Sequence, residues 1–148
     1  YASAQNLGGF SRRVVDSSNH VVSTTSIDKT IVTDKQFVTP IAVNSVVGGR
    51  LLIGGSTQLY ESTDMGVTIT AIGGPGSNQI PGGMVYGGSL SGVPNPDLIY
   101  VAQNNQVSVR TTAGGSFTAG GYKSTLSTGF NNPLGGDPFE RRLGCLFP

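Results

Sequence analysis

Apolar residues along this chain come in short runs that end at glycine or polar turns, a pattern of many short strands rather than long amphipathic helices. From Phe37 to Gly73 it predicts four strands: Val38 to Val43, Arg50 to Ile53, Gln58 to Ser62 and Thr68 to Ile72. Between Ile80 and Tyr122 the same order recurs as Met84 to Tyr86, Leu98 to Ala102, Gln106 to Thr111 and Ser116 to Ala119. Leu51-Leu52-Ile53 and Leu98-Ile99-Tyr100-Val101-Ala102 are near-continuous apolar runs, as expected of inner strands covered on both faces. Val107 and Val109 alternate with Ser108 and Arg110, which predicts a strand with one face more exposed.

The turns have local causes. Gly92-Val93-Pro94-Asn95-Pro96-Asp97 holds two prolines, which lack backbone donors, and is expected to be an exposed loop. Asn104-Asn105 tolerates positive φ and predicts a tight hairpin. Gly73 to Asn78 breaks regular structure and reads as the connection between the two four-strand units. Upstream, strand-like runs at Arg13 to Val15, His20 to Thr24 and Thr30 to Val32, with a turn at Asp16-Ser17-Ser18-Asn19, suggest part of a third unit. The division expected is therefore 1–36 as a partial unit or extension, 37–79 and 80–122 as full units, and 123–148 as a loop or assembly contact.

A hairpin phrase marks each full unit. Ser62-Thr63-Asp64-Met65-Gly66-Val67-Thr68 follows Leu59-Tyr60-Glu61, and Thr111-Thr112-Ala113-Gly114-Gly115-Ser116 follows Val107-Ser108-Val109-Arg110. Ser62, Asp64, Gly66 and Thr68 match the Asp-box pattern, with Ile69 where an aromatic usually stands; the segment resembles the Asp-box hairpin of BNR-type β-propellers. The second copy is degenerate. With one residue deleted between the glycine and the hydroxyl residue, it retains Thr111, Gly115, Ser116 and Phe117, while Ala113 stands in the aspartate's place. Aligned this way, Thr111 follows Ser62 by 49 residues, close to the roughly 40–50 residues of a propeller blade.

The resemblance spans Phe37 to Tyr122 and implies an all-β fold of antiparallel four-stranded blades, two clear ones and a partial one. Related families include sialidases and other glycoside hydrolases, sortilin-type receptors, photosystem assembly factors and adhesin-like surface proteins. In them the box shapes a turn and lies away from the ligand site. The resemblance implies an extracellular or cell-surface location. It also implies that the chain joins copies of itself or the rest of a larger chain, since closed propellers have roughly four to eight blades.

Composition agrees and narrows the chemistry. The 148 residues suffice for one domain. Only 11% are charged, against about 25% in ordinary soluble domains, while 23 glycines and 8 prolines favour tight turns. A net charge of +1 makes no case for nucleic acid or anionic membrane, and the doublets Arg12-Arg13 and Arg141-Arg142 read as solvated surface. No apolar run approaches the ~20 residues of a membrane-spanning helix. Cys145 is the sole cysteine, leaving only an intermolecular disulfide open and no thiolate metal cluster. The start at Tyr1 reads as a processed form or an excised piece.

No catalytic set emerges. A sialidase-like site needs converging arginines and a tyrosine paired with an acid; Arg50 and Arg110 lie in the matched region, where a structural or surface role is expected. His20 reads as an exposed turn residue beside Asn19, not the base of a triad. Gly82-Gly83 and Gly87-Gly88 lack the lysine of a phosphate loop and read as turn or bulge glycines. Asp97 and Asp137 form no calcium-loop spacing, so neither metal nor cofactor is assigned.

The leading expectation is a non-enzymatic scaffold or interaction module, directed to glycan or protein, with Pro94, Asn95 and Asp97 as contact candidates. Two alternatives stand beside it: a fragment of a sialidase-like glycoside hydrolase whose catalytic groups lie elsewhere, and a self-assembling all-β structural subunit.

Overall fold

Strand alternation organises the molecule, because each strand of the middle sheet places successive side chains against a different neighbour. The computed structural model describes residues 1–79, 83–104 and 106–120. They form an all-β structure of three antiparallel sheets. The first sheet contains β1 (Ala2–Ala4), β2 (Gly8–Val15) and β3 (Val21–Ser26), in that order. The second contains β4 (Ile41–Val43), β5 (Leu51–Gly54), β6 (Leu59–Ser62) and β7 (Thr70–Gly73). The third contains β8 (Met84–Leu90), β9 (Val93–Gln103), β10 (Gln106–Arg110) and β11 (Thr118–Gly120), again in chain order.

Register explains the burial. Ile53 pairs with Tyr60, and together with Leu51 they join Leu7, Phe10, Ile27 and Val32 in a core between the first and second sheets. Leu52 and Leu59 emerge on the opposite face and join Met84, Tyr86, Ile99 and Val101 between the second and third. The unbroken Leu51-Leu52-Ile53 run is thus buried because the sheet has a neighbour on each side. Each such side chain contributes roughly 1.5–3 kcal/mol on burial.

The eight strands expected between Phe37 and Tyr122 are all present, with shifted ends. The expected loop from Gly92 to Asp97 is the main correction, because Val93 to Asp97 belong to β9 and pair with β8. Ser91 (φ 52°) and Gly92 (φ 78°) alone make the hairpin turn, both in the left-handed region such two-residue turns require. β10 pairs with β9 only from Ile99 onward. Pro94 and Pro96 therefore lie where β9 has a partner on one side, and their missing donors cost no ladder bond on the other. Gly87 (φ 75°) sits at a register shift of β8, the bulge reading of that glycine pair.

Upstream, β2 contains the run Arg13 to Val15 and β3 the run from Val21 to Thr24, with His20 left on the turn; β1 adds a strand that the pattern did not predict, and Thr30 to Val32 is a turn instead of a strand. The Asp28 carboxylate accepts from Thr30 N–H at 2.9 Å, and Val32 N–H donates to Lys29 O at 3.0 Å, so a side-chain-capped turn replaces extension. This connection also supplies Asp34 to the β5–β6 turn. Its carboxylate accepts from Thr57 N–H (2.7 Å), Thr57 Oγ1 (2.7 Å), Gln58 N–H (3.2 Å) and the Tyr60 hydroxyl (2.5 Å). Buried Gln36 bridges Gly54 O and Ser77 Oγ, each at 3.0 Å, tying the two inter-sheet connections together.

Residues 123–148, with Asp137, Arg141-Arg142 and Cys145, and also Gly82 and Asn105, lie outside the described residues.

Candidate functional site

Side-chain hydrogen bonds hold the β6–β7 turn. Ser62 Oγ donates to Asp64 Oδ1 at 2.8 Å and accepts from Gly66 N–H at 2.9 Å; Asp64 Oδ1 accepts from Thr68 N–H at 2.8 Å. The Thr68 backbone bond, followed by the Ser62 hydroxyl, holds the Asp64 carboxyl below its usual range. Gly66 has φ 87°, and a Cβ there would lie 2.7 Å from Ile27, so both conformation and space demand glycine.

The degenerate copy has a different register from the one the sequence suggested. Val67 N–H donates to Asp64 O, and Gly115 N–H donates to Thr112 O, so Thr112 stands in the place of Asp64 and Arg110 in that of Ser62. Gly114, with φ 66°, therefore corresponds to Gly66 in place of Gly115. Ser116 and Phe117 keep the positions of Thr68 and Ile69, without any deletion. A third turn of the same kind starts at Asp16: Asn19 N–H donates to Asp16 O at 3.1 Å, and Asp16 Oδ1 accepts from His20 N–H at 2.9 Å. Asp16, Asp64 and Thr112 are spaced by 48 residues. His20 itself is exposed on that turn, with Nδ1 3.5 Å from Asp16.

Five polar side chains meet between the second and third sheets. Arg50 Nε donates to the Tyr86 hydroxyl oxygen at 2.7 Å, while Arg50 Nη2 reaches Glu61 Oε1 at 3.0 Å and Asp97 Oδ1 at 2.8 Å. Arg110 Nη2 donates to the same Glu61 oxygen at 3.2 Å, and the Tyr86 hydroxyl donates to it as well. Arg110 is 2% exposed and lies 5.8 Å from the Phe117 ring centroid; its Nε is buried without a hydrogen-bond partner among the described residues. Two guanidinium groups face two carboxylates, so the cluster is neutral as a whole.

Electrostatics follow the geometry. Burial alone would raise the Glu61 pKa, but hydrogen bonds from Tyr86 and Arg50 and the charge of Arg110 outweigh it and hold the carboxyl below its usual range. Burial and then the Glu61 carboxylate push the Tyr86 phenol upward. Arg50 is pushed up as its two carboxylate bonds overcome the opposing effect of burial.

Arg50 and Arg110, expected as separate structural or surface residues, thus converge through Glu61. Asp97 belongs to this cluster and not to an exposed loop; Asn95 donates from Nδ2 to Thr111 O at 2.9 Å. Pro94 pairs with Ser89 across the β8–β9 ladder. Tyr86 and Glu61 were missed because nothing local distinguishes them. Only the inter-sheet packing makes their hydroxyl and carboxylate neighbours. Among the described residues, no helix is long and apolar enough to cross a membrane. Comparison with protein-family models gives no match, and comparison with curated proteins gives none.

Proposed function

We propose that this chain is a segment of a β-propeller and serves as a non-enzymatic scaffold or interaction module of a secreted or surface protein. It joins copies of itself or the rest of a larger chain, and engages glycan or protein. The 48-residue spacing of three like turns and the serial stacking of sheets support the propeller reading.

The observation carrying the non-enzymatic reading is the closure of the Arg50–Glu61–Arg110 cluster. Arg50 donates from Nε to Tyr86 and from Nη2 to Glu61 and Asp97, and Arg110 is buried against Glu61. A substrate carboxylate would have to displace an internal carboxylate from each guanidinium, at several kcal/mol for a buried charge left unpaired.

A second reading, a sialidase-like hydrolase in which this chain itself carries catalytic groups and not only other parts of the protein, has one observation in its favour: the Tyr86 hydroxyl donates to Glu61 beside two arginines. Assays on aryl sialosides and neutral aryl glycosides separate the two. The scaffold reading expects no turnover; turnover abolished by Glu61→Gln in a folded variant would establish the hydrolase instead.

A further inference from the structure

The two inter-sheet crevices beside the box turns occupy corresponding places, and their difference is informative. Arg12, Ile27, Gly66 and Val67 line the crevice between the first and second sheets, of about 250 Å³. The one between the second and third is about 550 Å³, with Gln106, Ser108, Gly114, Ser116 and Phe117 among its lining residues. In the 48-residue register Tyr60 is replaced by Ser108, Met65 by Ala113, and Val67 by Gly115. The plug changes too: Ile27 presses on Gly66, where a Cβ would lie 2.7 Å from it, whereas Pro75 stands in the corresponding place and, among the described residues beyond its chain neighbours, no atom lies within 4 Å of a Cβ at Gly114. Four bulky groups have been trimmed around one opening.

Of the four, Tyr60 and Ile27 are buried while Met65 and Val67 are exposed, and trimming a packed side chain normally sacrifices contacts and stability. Here it opens a crevice of the size that accepts small ligands, roughly 300–1,000 Å³. Its lining is uncharged but polar: the Gln106 amide, the Ser108 and Ser116 hydroxyls and the backbone of Gly114 and Gly115, beside the partly exposed ring of Phe117. Amide and hydroxyl groups can exchange hydrogen bonds with a hydroxyl-rich ligand, and an aromatic edge can cover its C–H surface. Arg110, beside the Phe117 ring, is paired with Glu61, and no residue of the lining carries a positive charge to select for an anion.

We propose that the crevice between Pro75 and the Gly114–Phe117 turn is a binding site for a neutral saccharide. This rests on the interaction-module reading and gives it a ligand class and a place. The test is amide NMR of the full chain titrated with uncharged gluco-, galacto- and manno-oligosaccharides, and in parallel with a sialylated oligosaccharide and an uncharged peptide. The expected result is saturable shifts at Gly114, Gly115 and Ser116 with a neutral sugar. Affinity should fall at least tenfold in Gln106→Ala and in Ser108→Tyr, which puts the bulk of the corresponding Tyr60 into the lining. Should Ser108→Tyr fail to fold, Gln106→Ala decides. No shift at the turn with any neutral sugar, preference for the sialylated sugar, binding of the peptide alone, or undiminished affinity in a folded variant would overturn the proposal. Failure here leaves the scaffold reading intact, while Glu61-dependent turnover would sink that reading without touching the crevice.

Discussion

Arg110 Nη2 lies 3.2 Å from Glu61 Oε1, so a guanidinium of the third sheet is anchored on a carboxylate of the second. The same oxygen serves Arg50 and Tyr86, which makes Glu61 the hub of the contact. Its removal should hurt more than removal of any one spoke.

Glu61→Gln leaves Arg110 buried without a counter-charge, and by the usual cost of breaking a buried pair it should destabilise the fold by about 3–5 kcal/mol. Arg110→Met leaves Glu61 paired with Arg50 and should cost less than about 2 kcal/mol, because an apolar side chain suits that buried position. Denaturant titration of both variants and of the double variant checks this. The double variant should recover part of the Glu61→Gln loss; strict additivity would contradict the coupling.

Ser62 is 1% exposed and holds the Gly66 N–H inside the box turn. Ser62→Ala should cost about 1–3 kcal/mol, the penalty of an unsatisfied buried donor. Asp64→Ala should lower the thermal midpoint more than Thr112→Ala, since Thr112 holds the corresponding position without the carboxylate that accepts from Thr68. Equal midpoints in the two variants would contradict the turn correspondence.

Asp34 gathers four hydrogen bonds at the β5–β6 turn although it lies some twenty residues upstream. Asp34→Asn keeps the shape but weakens the charge-assisted bonds, and a loss of about 1–2 kcal/mol is expected for this partly buried group. Hydrogen exchange should show the loss at the amides of Thr57 and Gln58 first. Unchanged protection there would argue against this role.

Acid should destabilise the protein through Glu61, Asp34 and Asp64, whose pKa values all fall on folding. Their stabilisation is fully present above the unfolded values of about 4 and is lost as pH falls through the lower folded values. Stability from urea titrations should therefore decline below about pH 4, less steeply in Glu61→Gln. Tyr86 behaves oppositely: its raised pKa contributes stability below the unfolded value of about 10 and loses it as pH climbs through the folded one. Native-state absorbance should show a late-ionising tyrosine that disappears in Tyr86→Phe.

Much of this was written locally. The runs around Leu51 to Ile53 and Leu98 to Ala102 announced strands, and Ser62, Asp64 and Gly66 announced a turn, because strand alternation and side-chain capping act over a few residues. Asp16 carried the same turn chemistry, but without the glycine and threonine of the box it read as an ordinary turn. Val93 to Asp97 misled because prolines suggest a loop wherever the pairing of their neighbours is unknown; here β9 is paired on one side only at that point. What the chain determines by itself is thus its all-β class, the two four-strand runs and the capped turn between β6 and β7. Tertiary structure alone decided that Arg50, Glu61, Tyr86, Asp97 and Arg110 form one neutral cluster, and that Pro75 leaves open what Ile27 fills. Those relationships depend on which sheet faces stack and at what register, and Glu61 and Arg110, 49 positions apart, become neighbours only when the cores on both sides of the second sheet close.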